Sequence, residues 1–529
     1  MQKSTAASGK YLNIGNEGFR SIRNSEYVDK TGLIRFMNKC LDTPQKLICV
    51  SRPRRFGKSF ATKMLCAYYS KGCDSKELFE DLQIAKDPAF AKNLNQYEVL
   101  YLDITLFLST LKQDDMLVER MEQEIINDLG KVYPEVGKEQ HLVDALCAFH
   151  ERTEEKMILI IDEWDAMFRE CKGQTHILDA YILLLRSLFK SSLTDQLFSG
   201  VYMTGILPIK KYGHESAVSD FYEYTMVDPC PLQEYIGFTE TEVEMLCKKY
   251  QKDYALMQQW YDGYFVGGIH VYNPKSVMES ILRNKFSSYW TKTETYEALR
   301  DYIDMNFDGL KDDVLSMIAG NQVPVNIGSF TNDMTTFRSE DDVLTLLIHL
   351  GYLGYDSDNK AVFIPNGEIR SEYVNAVSVS DWGEVSKGLK NSADTLQAIW
   401  ENRPLQVAEG IRQAHFETSH IQYNDENALS YTVSLALYAA RNFYTVHREF
   451  PGGKGFADLV FIPRKKFSEK PALVVELKWD KTARGAITQI KEKEYCRSLE
   501  EYHGNLLLVG INYDRKTREH ICCIEEMER

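Results

Sequence analysis

Five consecutive apolar residues, Met157-Ile158-Leu159-Ile160-Ile161, run directly into two acids, Asp162 and Glu163. A strand that is apolar at every position has no face left for water. It must be covered on both sides, as in a parallel sheet sandwiched between helices. Leu47-Ile48-Cys49-Val50 reads as a second such strand, Val99 to Asp103 as a third and Leu197 to Thr204 as a fourth. Helix-like segments alternate with them, Ser59 to Tyr69 among them, so the first half is expected to be α/β.

At 529 residues the chain exceeds what one hydrophobic core organises, and two to four domains are expected. The texture changes near Asp228. Thr239, with Glu242 three residues on, starts a capped helix. Helical segments then run to about Trp400, interrupted at Trp260-Tyr261-Asp262-Gly263-Tyr264. The expected division is 1–227, a helical lid or middle region 228–400, and a second α/β module 401–529 whose pattern begins near Gly410.

The net charge of −15 disfavours a protein that coats nucleic acid non-specifically. Local basic clusters remain at Arg52 to Lys58 and Arg464 to Lys466. No apolar run approaches the roughly 20 residues of a membrane span, and the first residues lack an apolar secretory core. Eleven cysteines are scattered without a Cys-x-x-Cys pair, so free thiols and a cytoplasmic location are expected.

Two stretches carry chemistry. The first is Arg52-Pro53-Arg54-Arg55-Phe56-Gly57-Lys58-Ser59, after a strand and at the start of a helix. That is the context of a P-loop NTPase, in which backbone N–H groups and a lysine hold phosphates and a hydroxyl ligates Mg²⁺. Arg54, Arg55, Phe56, Gly57, Lys58 and Ser59 are the expected ATP contacts, with nucleic-acid contact or plain solvation as the competing readings for Arg54 and Arg55, and Arg52 stands where the general motif has its first glycine. Asp162, with Ser59, is the candidate Mg²⁺ holder, and Glu163 the base that orients attacking water. Thr204, at the end of a later strand, is a candidate γ-phosphate sensor. An ordinary capped strand–helix turn with solvated acids is the competing reading.

The second is Gly455-Phe456-Ala457-Asp458-Leu459-Val460-Phe461, followed by Leu473-Val474-Val475-Glu476-Leu477-Lys478. Glu476 and Lys478 are two apart and share one face of a strand. The intervening loop, Pro463 to Pro471, suits a hairpin that sets Asp458 beside Glu476. Charges on buried strands are costly unless they bind a metal or a partner. Two carboxylates and the carbonyl of residue 477 suit Mg²⁺, with Mn²⁺ as the alternative ion. Such an ion activates water and neutralises a phosphodiester. Lys478 would stabilise developing charge or help orient the water. Glu426, before a helix, is a candidate further metal contact, and Gln489, on a helix from Thr482 to Tyr495, a candidate catalytic neighbour. A purely structural ion-pair cluster is the competing reading.

These residues resemble a bacterial and archaeal two-part family. Its N-terminal part is AAA-ATPase-like and its C-terminal part belongs to the PD-(D/E)XK nuclease superfamily. Tyr27-Val28-Asp29-Lys30-Thr31 and Arg52 to Ser59 look like the opening signature, in which the first P-loop glycine is also missing. Ile160 to Asp165 is similar to the Walker B segment, and Met203-Thr204-Gly205-Ile206 to the strand after it. Trp260 to Tyr264 with Tyr272-Asn273-Pro274 resembles the lid-like middle. Gly455 to Phe461, Val475 to Lys478 and the helix around Gln489 resemble the nuclease core, with Ala457 where proline is usual.

The resemblance implies a multidomain α/β chain. It would join a P-loop parallel-sheet core and a helical lid to a C-terminal restriction-endonuclease-like nuclease fold. It also implies ATP binding and metal-dependent phosphodiester cleavage, with nucleic acid, DNA first, as partner. A homo-oligomer is in keeping with P-loop switches that complete their sites across subunits. Three readings stand at this stage: an ATP-regulated nuclease, a signal-transduction ATPase switch in phage or mobile-element defence whose nuclease fold is a triggered effector or inactive binding module, and an interaction protein with two vestigial sites.

Overall fold

The apolar segments become strands as their pattern requires. The computed structural model describes residues 9–190, 192–209, 218, 220–290, 296–305, 307, 309–330, 337–379, 383–417, 426–499 and 505–527. The chain forms two compact units, Met1–Thr293 with Pro324–Ile369, and Glu294–Val323 with Arg370–Arg529.

In the first unit, β1 (Leu47–Ser51), β2 (Glu98–Asp103), β3 (Met157–Asp162), β4 (Phe198–Gly205) and β5 (Tyr222–Tyr224) form one sheet in the order β2-β3-β4-β1-β5. Every pairing is parallel. All residues of β1, β3 and β4 are buried, as expected for a sheet covered on both faces. Each large apolar side chain so buried contributes about 1.5–3 kcal/mol. Helix α1 (Lys58–Tyr69) follows β1 after the turn 52–57. Its Met64, Leu65 and Cys66 are buried.

The stretch read as helical from 228 onward is mixed. The capping box at Thr239 and Glu242 forms as its spacing requires and opens the helix Glu240–Lys249. Tyr264–Val266 and Ile269–Tyr272, however, pair as an antiparallel hairpin. Aromatic and β-branched residues around Gly267-Gly268 are a hairpin signal, and it overrides the surrounding helical texture.

His349 lies on the helix Glu340–Leu350 and is 3% exposed. Burial, with the nearby Arg52 guanidinium, pulls its imidazole down to about 4. The folded state therefore binds fewer protons than the unfolded one between pH 6.5 and about 4, and stability falls as pH drops through that window. The loss is about 1.4 kcal/mol per pH unit at most. Denaturant melts between pH 7 and 4 should show this acid limb, and His349→Leu should flatten it.

In the second unit the helices are α2 (Leu310–Ala319), α3 (Gly367–Val379, from Arg370 onward), α4 (Glu426–Ala436) and α5 (Ala483–Glu492). The strands are β6 (Tyr444–Gly452), β7 (Gly455–Pro463), β8 (Ala472–Trp479), β9 (Leu506–Asp514) and β10 (Glu519–Met527), in that spatial order. Only β8 and β9 pair in parallel; the others are antiparallel. A parallel pair needs a crossover, and α5 supplies it. Leu473, Val475 and Leu477 of β8 join one core with Leu429 and Val433 of α4, while Ala472 and Val474 join another with Ile487 and Ile490 of α5. Glu476 and Lys478 continue the α5-facing row.

All eleven cysteines are free thiols. Among the described residues no helix is long and apolar enough to cross a membrane.

Candidate functional site

β1 delivers the chain into the turn that precedes α1. Gly57, the residue capping the helix, has φ of +96°, in the region that glycine enters without steric cost. Lys58 Nζ donates to the carbonyls of Arg52 and Pro53, each at 3.1 Å, and lies 3.4 Å from Glu163 Oε1. Arg52 turns away into the core. Its guanidinium donates to the carbonyls of Ser51, Tyr224 and Thr225 at 2.9, 3.0 and 2.8 Å. At the position of the absent glycine there is thus a buried strut to β5, and burial pulls its pKa down to about 10.

A cavity of about 470 Å³ opens beside this turn. Arg54, Arg55, Phe56, Gly57, Lys58 and Ser59 line it together with Tyr27, Val28, Phe238 and Met278. Cationic and backbone donors beside an apolar wall, in a space of this size, fit a nucleotide.

Asp162 ends β3 and is 2% exposed. Thr62 Oγ1 and Tyr101 OH lie 3.2 and 3.3 Å from its Oδ2. Oδ1 is buried with no hydrogen-bond partner among the described residues. Burial and the charge of Glu163 push this carboxyl up to about 6, against the Ser59 hydroxyl and Lys58, which pull it down. A buried carboxylate with an unsatisfied oxygen beside a serine hydroxyl is a donor set that suits a hard divalent cation.

Glu163 takes a left-handed backbone, φ +54°. Its carboxylate meets Arg169 Nη2 at 2.5 Å, and Arg169 Nε donates to Asp165 Oδ2 at 3.0 Å. Burial pushes the Glu163 carboxyl up, but Lys58, Arg169 and Arg54 together hold it below its ordinary value. Thr204 is not brought to the cavity. It is fully buried, and its hydroxyl donates to the Val50 carbonyl at 2.9 Å. A hydroxyl on a strand flanked on both sides finds a neighbouring carbonyl before it finds a ligand.

In the second unit, the β7–β8 register sets Leu459 opposite Val475, so Asp458 comes opposite Glu476. Asp458 Oδ2 accepts from the Leu477 backbone N–H at 2.7 Å. Lys478 Nζ donates to Glu476 Oε1 at 2.8 Å and to the Leu477 carbonyl at 2.9 Å. Gln489 of α5 also donates to Glu476 Oε1, and its amide nitrogen lies 3.2 Å from Tyr495 OH. Glu476 and Lys478 are only 2% and 7% exposed. Asp458, Glu476, Lys478 and Gln489 therefore converge. The side chain of Glu426, the first residue of α4, lies outside the described residues. Among the described residues no three His, Cys, Asp or Glu side chains gather as a cage. Two carboxylates and a main-chain carbonyl, completed by water, still form a set that Mg²⁺ accepts.

Sequence reasoning missed Arg169, Thr62, Tyr101 and Tyr495. The Asp165-to-Arg169 spacing of four residues was a readable signal for the first. The other three reach their partners through tertiary packing and had none.

Comparison with known proteins agrees with this geometry. Residues 13–214 match the family model described as a predicted AAA-ATPase. Residues 426–522 match that of the PD-(D/E)XK nuclease superfamily. A curated protein of Azotobacter chroococcum mcd 1, named "Uncharacterized protein in vnfD 5'region", is 25% identical over 309 residues, 56% of this chain and 56% of that protein. The match thus spans about half the length of this curated relative. With a parallel-sheet P-loop core in one unit and a mixed sheet carrying an Asp–Glu–Lys cluster in the other, the chain combines an AAA-ATPase-like domain with a PD-(D/E)XK nuclease superfamily domain.

Proposed function

We infer that the AAA-ATPase-like domain binds and hydrolyses ATP and thereby controls a metal-dependent nuclease that cleaves DNA. The observation that carries this reading is the convergence of Asp458, Glu476, Lys478 and Gln489 on two adjacent strands and one helix. Asp458, Glu476 and the Leu477 carbonyl would hold Mg²⁺, or Mn²⁺ in its place, and the bound ion would activate water and neutralise phosphodiester charge. Lys478 places an ammonium at the same carboxylate, where negative charge builds on the substrate. Gln489 orients Glu476.

At the nucleotide site, Arg54, Arg55, Lys58 and the backbone around Gly57 bind phosphates, and Phe56 closes the turn. Ser59 and Asp162 hold the accompanying Mg²⁺. Glu163 orients the attacking water. Residues 1–227 are the nucleotide-binding domain, the remainder of the first unit, 228–293 and 324–369, is its lid, and the second unit is the effector, acting in the cytoplasm.

A second reading is favoured by one observation: Glu163 is ion-paired to both Arg169 and Lys58. A base held this way suits a switch that stays silent until a trigger arrives, as in defence against phage or mobile elements. A cleavage assay separates the two. Full-length protein is incubated with single- and double-stranded DNA and RNA and Mg²⁺, with and without ATP. The first reading expects cleavage that ATP changes. Uncleaved substrate in every arm, with nucleotide still bound, supports the triggered switch.

A further inference from the structure

Three arginines of the second unit converge where no catalytic role has been assigned. Arg370 lies on α3, Arg441 in the turn Tyr438–Asn442 after α4, and Arg448 on β6. All three are half-buried and line a cavity of about 150 Å³ together with Gly320, Ser434 and Phe461. Arg370 Nη1 donates to the Ile318 carbonyl at 3.0 Å, and Arg441 Nη2 to the next carbonyl, Ala319, at 3.1 Å. Arg448 reaches Asn321 Oδ1 and the hydroxyls of Ser430 and Ser434 at 3.3 and 3.0 Å. Gly320 keeps the space open. Its φ is +103°, and a Cβ there would stand 3.3 Å from Arg441 Nη2 and 3.8 Å from Arg370 Nη1.

The charges do not balance. Among the described residues none of the three arginines has a carboxylate within ion-pair distance, and their acceptors are neutral. The C-terminus of α2 offers roughly half a negative charge against three positive ones. Burial pulls Arg441 down to about 9, with repulsion from Arg370 and Arg448 adding to the effect. Arg370 and Arg448 are lowered by burial too, and Arg448 gains only from Glu449. Three guanidiniums gathered without a carboxylate repel one another, and a planar guanidinium fork matches a tetrahedral oxyanion.

We propose that this cavity is a binding site for one phosphoryl oxyanion, distinct from the nucleotide cavity and from the Asp458–Glu476–Lys478 cluster. The distinction rests on the sheet. The cavity is lined by Leu459 and Phe461, which share a core with Leu473, Val475 and Leu477, whereas Glu476 and Lys478 alternate to the opposite face. Its volume holds roughly five waters. That is room for a phosphate with part of its shell and too little for a whole nucleotide, whose pockets start at about 300 Å³. The anion is either free phosphate or the terminal phosphate of a nucleic-acid strand whose remainder lies outside.

Titration calorimetry on the full chain tests this. A Lys58→Ala background weakens phosphate binding at the P-loop. That variant should still bind inorganic phosphate. Adding Arg441→Gln or Arg448→Gln should weaken this binding at least about tenfold, the worth of one charge-assisted contact. A 5′-phosphorylated dinucleotide that binds more tightly than phosphate, with its 5′-hydroxyl counterpart silent, identifies a strand end. Phosphate binding as tightly or more so identifies the free anion. Because Arg370 and Arg441 also cap α2, crystals of the unaltered protein soaked in tungstate provide a measurement independent of variant folding, with an anomalous peak expected among the three guanidiniums. Unchanged phosphate affinity in folded arginine variants, or tungstate at the P-loop with none at this cavity, overturns the proposal.

Discussion

Lys478→Ala is expected to destabilise the C-terminal unit by about 3–5 kcal/mol, because it strips the ammonium from a carboxylate buried on a central strand. Glu476 is 2% exposed, and Lys478 Nζ lies 2.8 Å from its Oε1. Little water can reach that oxygen to replace the lost partner. Glu476→Gln combined with Lys478→Met should recover most of the loss, since neither charge then remains buried. DNA cleavage should behave differently. It should fall by about 10²–10³-fold in Lys478→Ala and in Glu476→Ala, and the double variant should stay inactive. Urea melts in chelator, beside cleavage assays in Mg²⁺, read the two effects separately. Glu476→Ala protein that melts normally and still cleaves would refute the nuclease assignment at this cluster.

Lys58→Ala is expected to weaken ATP binding about 100-fold, the loss of one strong charged contact to the phosphates. Hydrolysis should fall with it by about 10²–10³-fold. Lys58 is 4% exposed and donates to two carbonyls of its own turn, so its ammonium is held in place before any nucleotide arrives. Arg169→Lys provides the contrast. It keeps a positive charge near Asp165 but shortens the reach to Glu163. If Arg169 restrains the base, this variant should bind ATP normally and turn it over faster. Filter binding and phosphate release measure both. Full ATP affinity in Lys58→Ala would remove the nucleotide site from this turn.

Much of this architecture was legible because it is local. A short, isoleucine-rich apolar run such as Met157 to Ile161 favours a strand covered on both faces, and all six residues of β3 are buried. The Thr239–Glu242 spacing specified a capping box, and the box is present. Glu476 and Lys478 share a face because strand side chains alternate, whatever the fold around them. The hairpin at Gly267-Gly268 was written just as locally, in glycines and β-branched neighbours, but a helical texture on either side obscured it.

What stayed illegible depends on distant neighbours. Thr204 looked like a sensor at a strand end, yet its hydroxyl is taken by Val50, 154 residues away in the chain. Arg52 looked like part of a basic loop, yet it is buried against Tyr224 and Thr225. Arg370, Arg441 and Arg448 carry no shared motif, and nothing in their spacing announces a cluster.

The sequence by itself determined the strands, the P-loop turn and the acidic pair with its lysine, because periodicity and turn chemistry act over a few residues. The tertiary structure alone decided which of those groups are already satisfied and which buried charges are left over. Burial and partner distance belong to the packed chain, and they set whether a polar group is a strut, a ligand or a site.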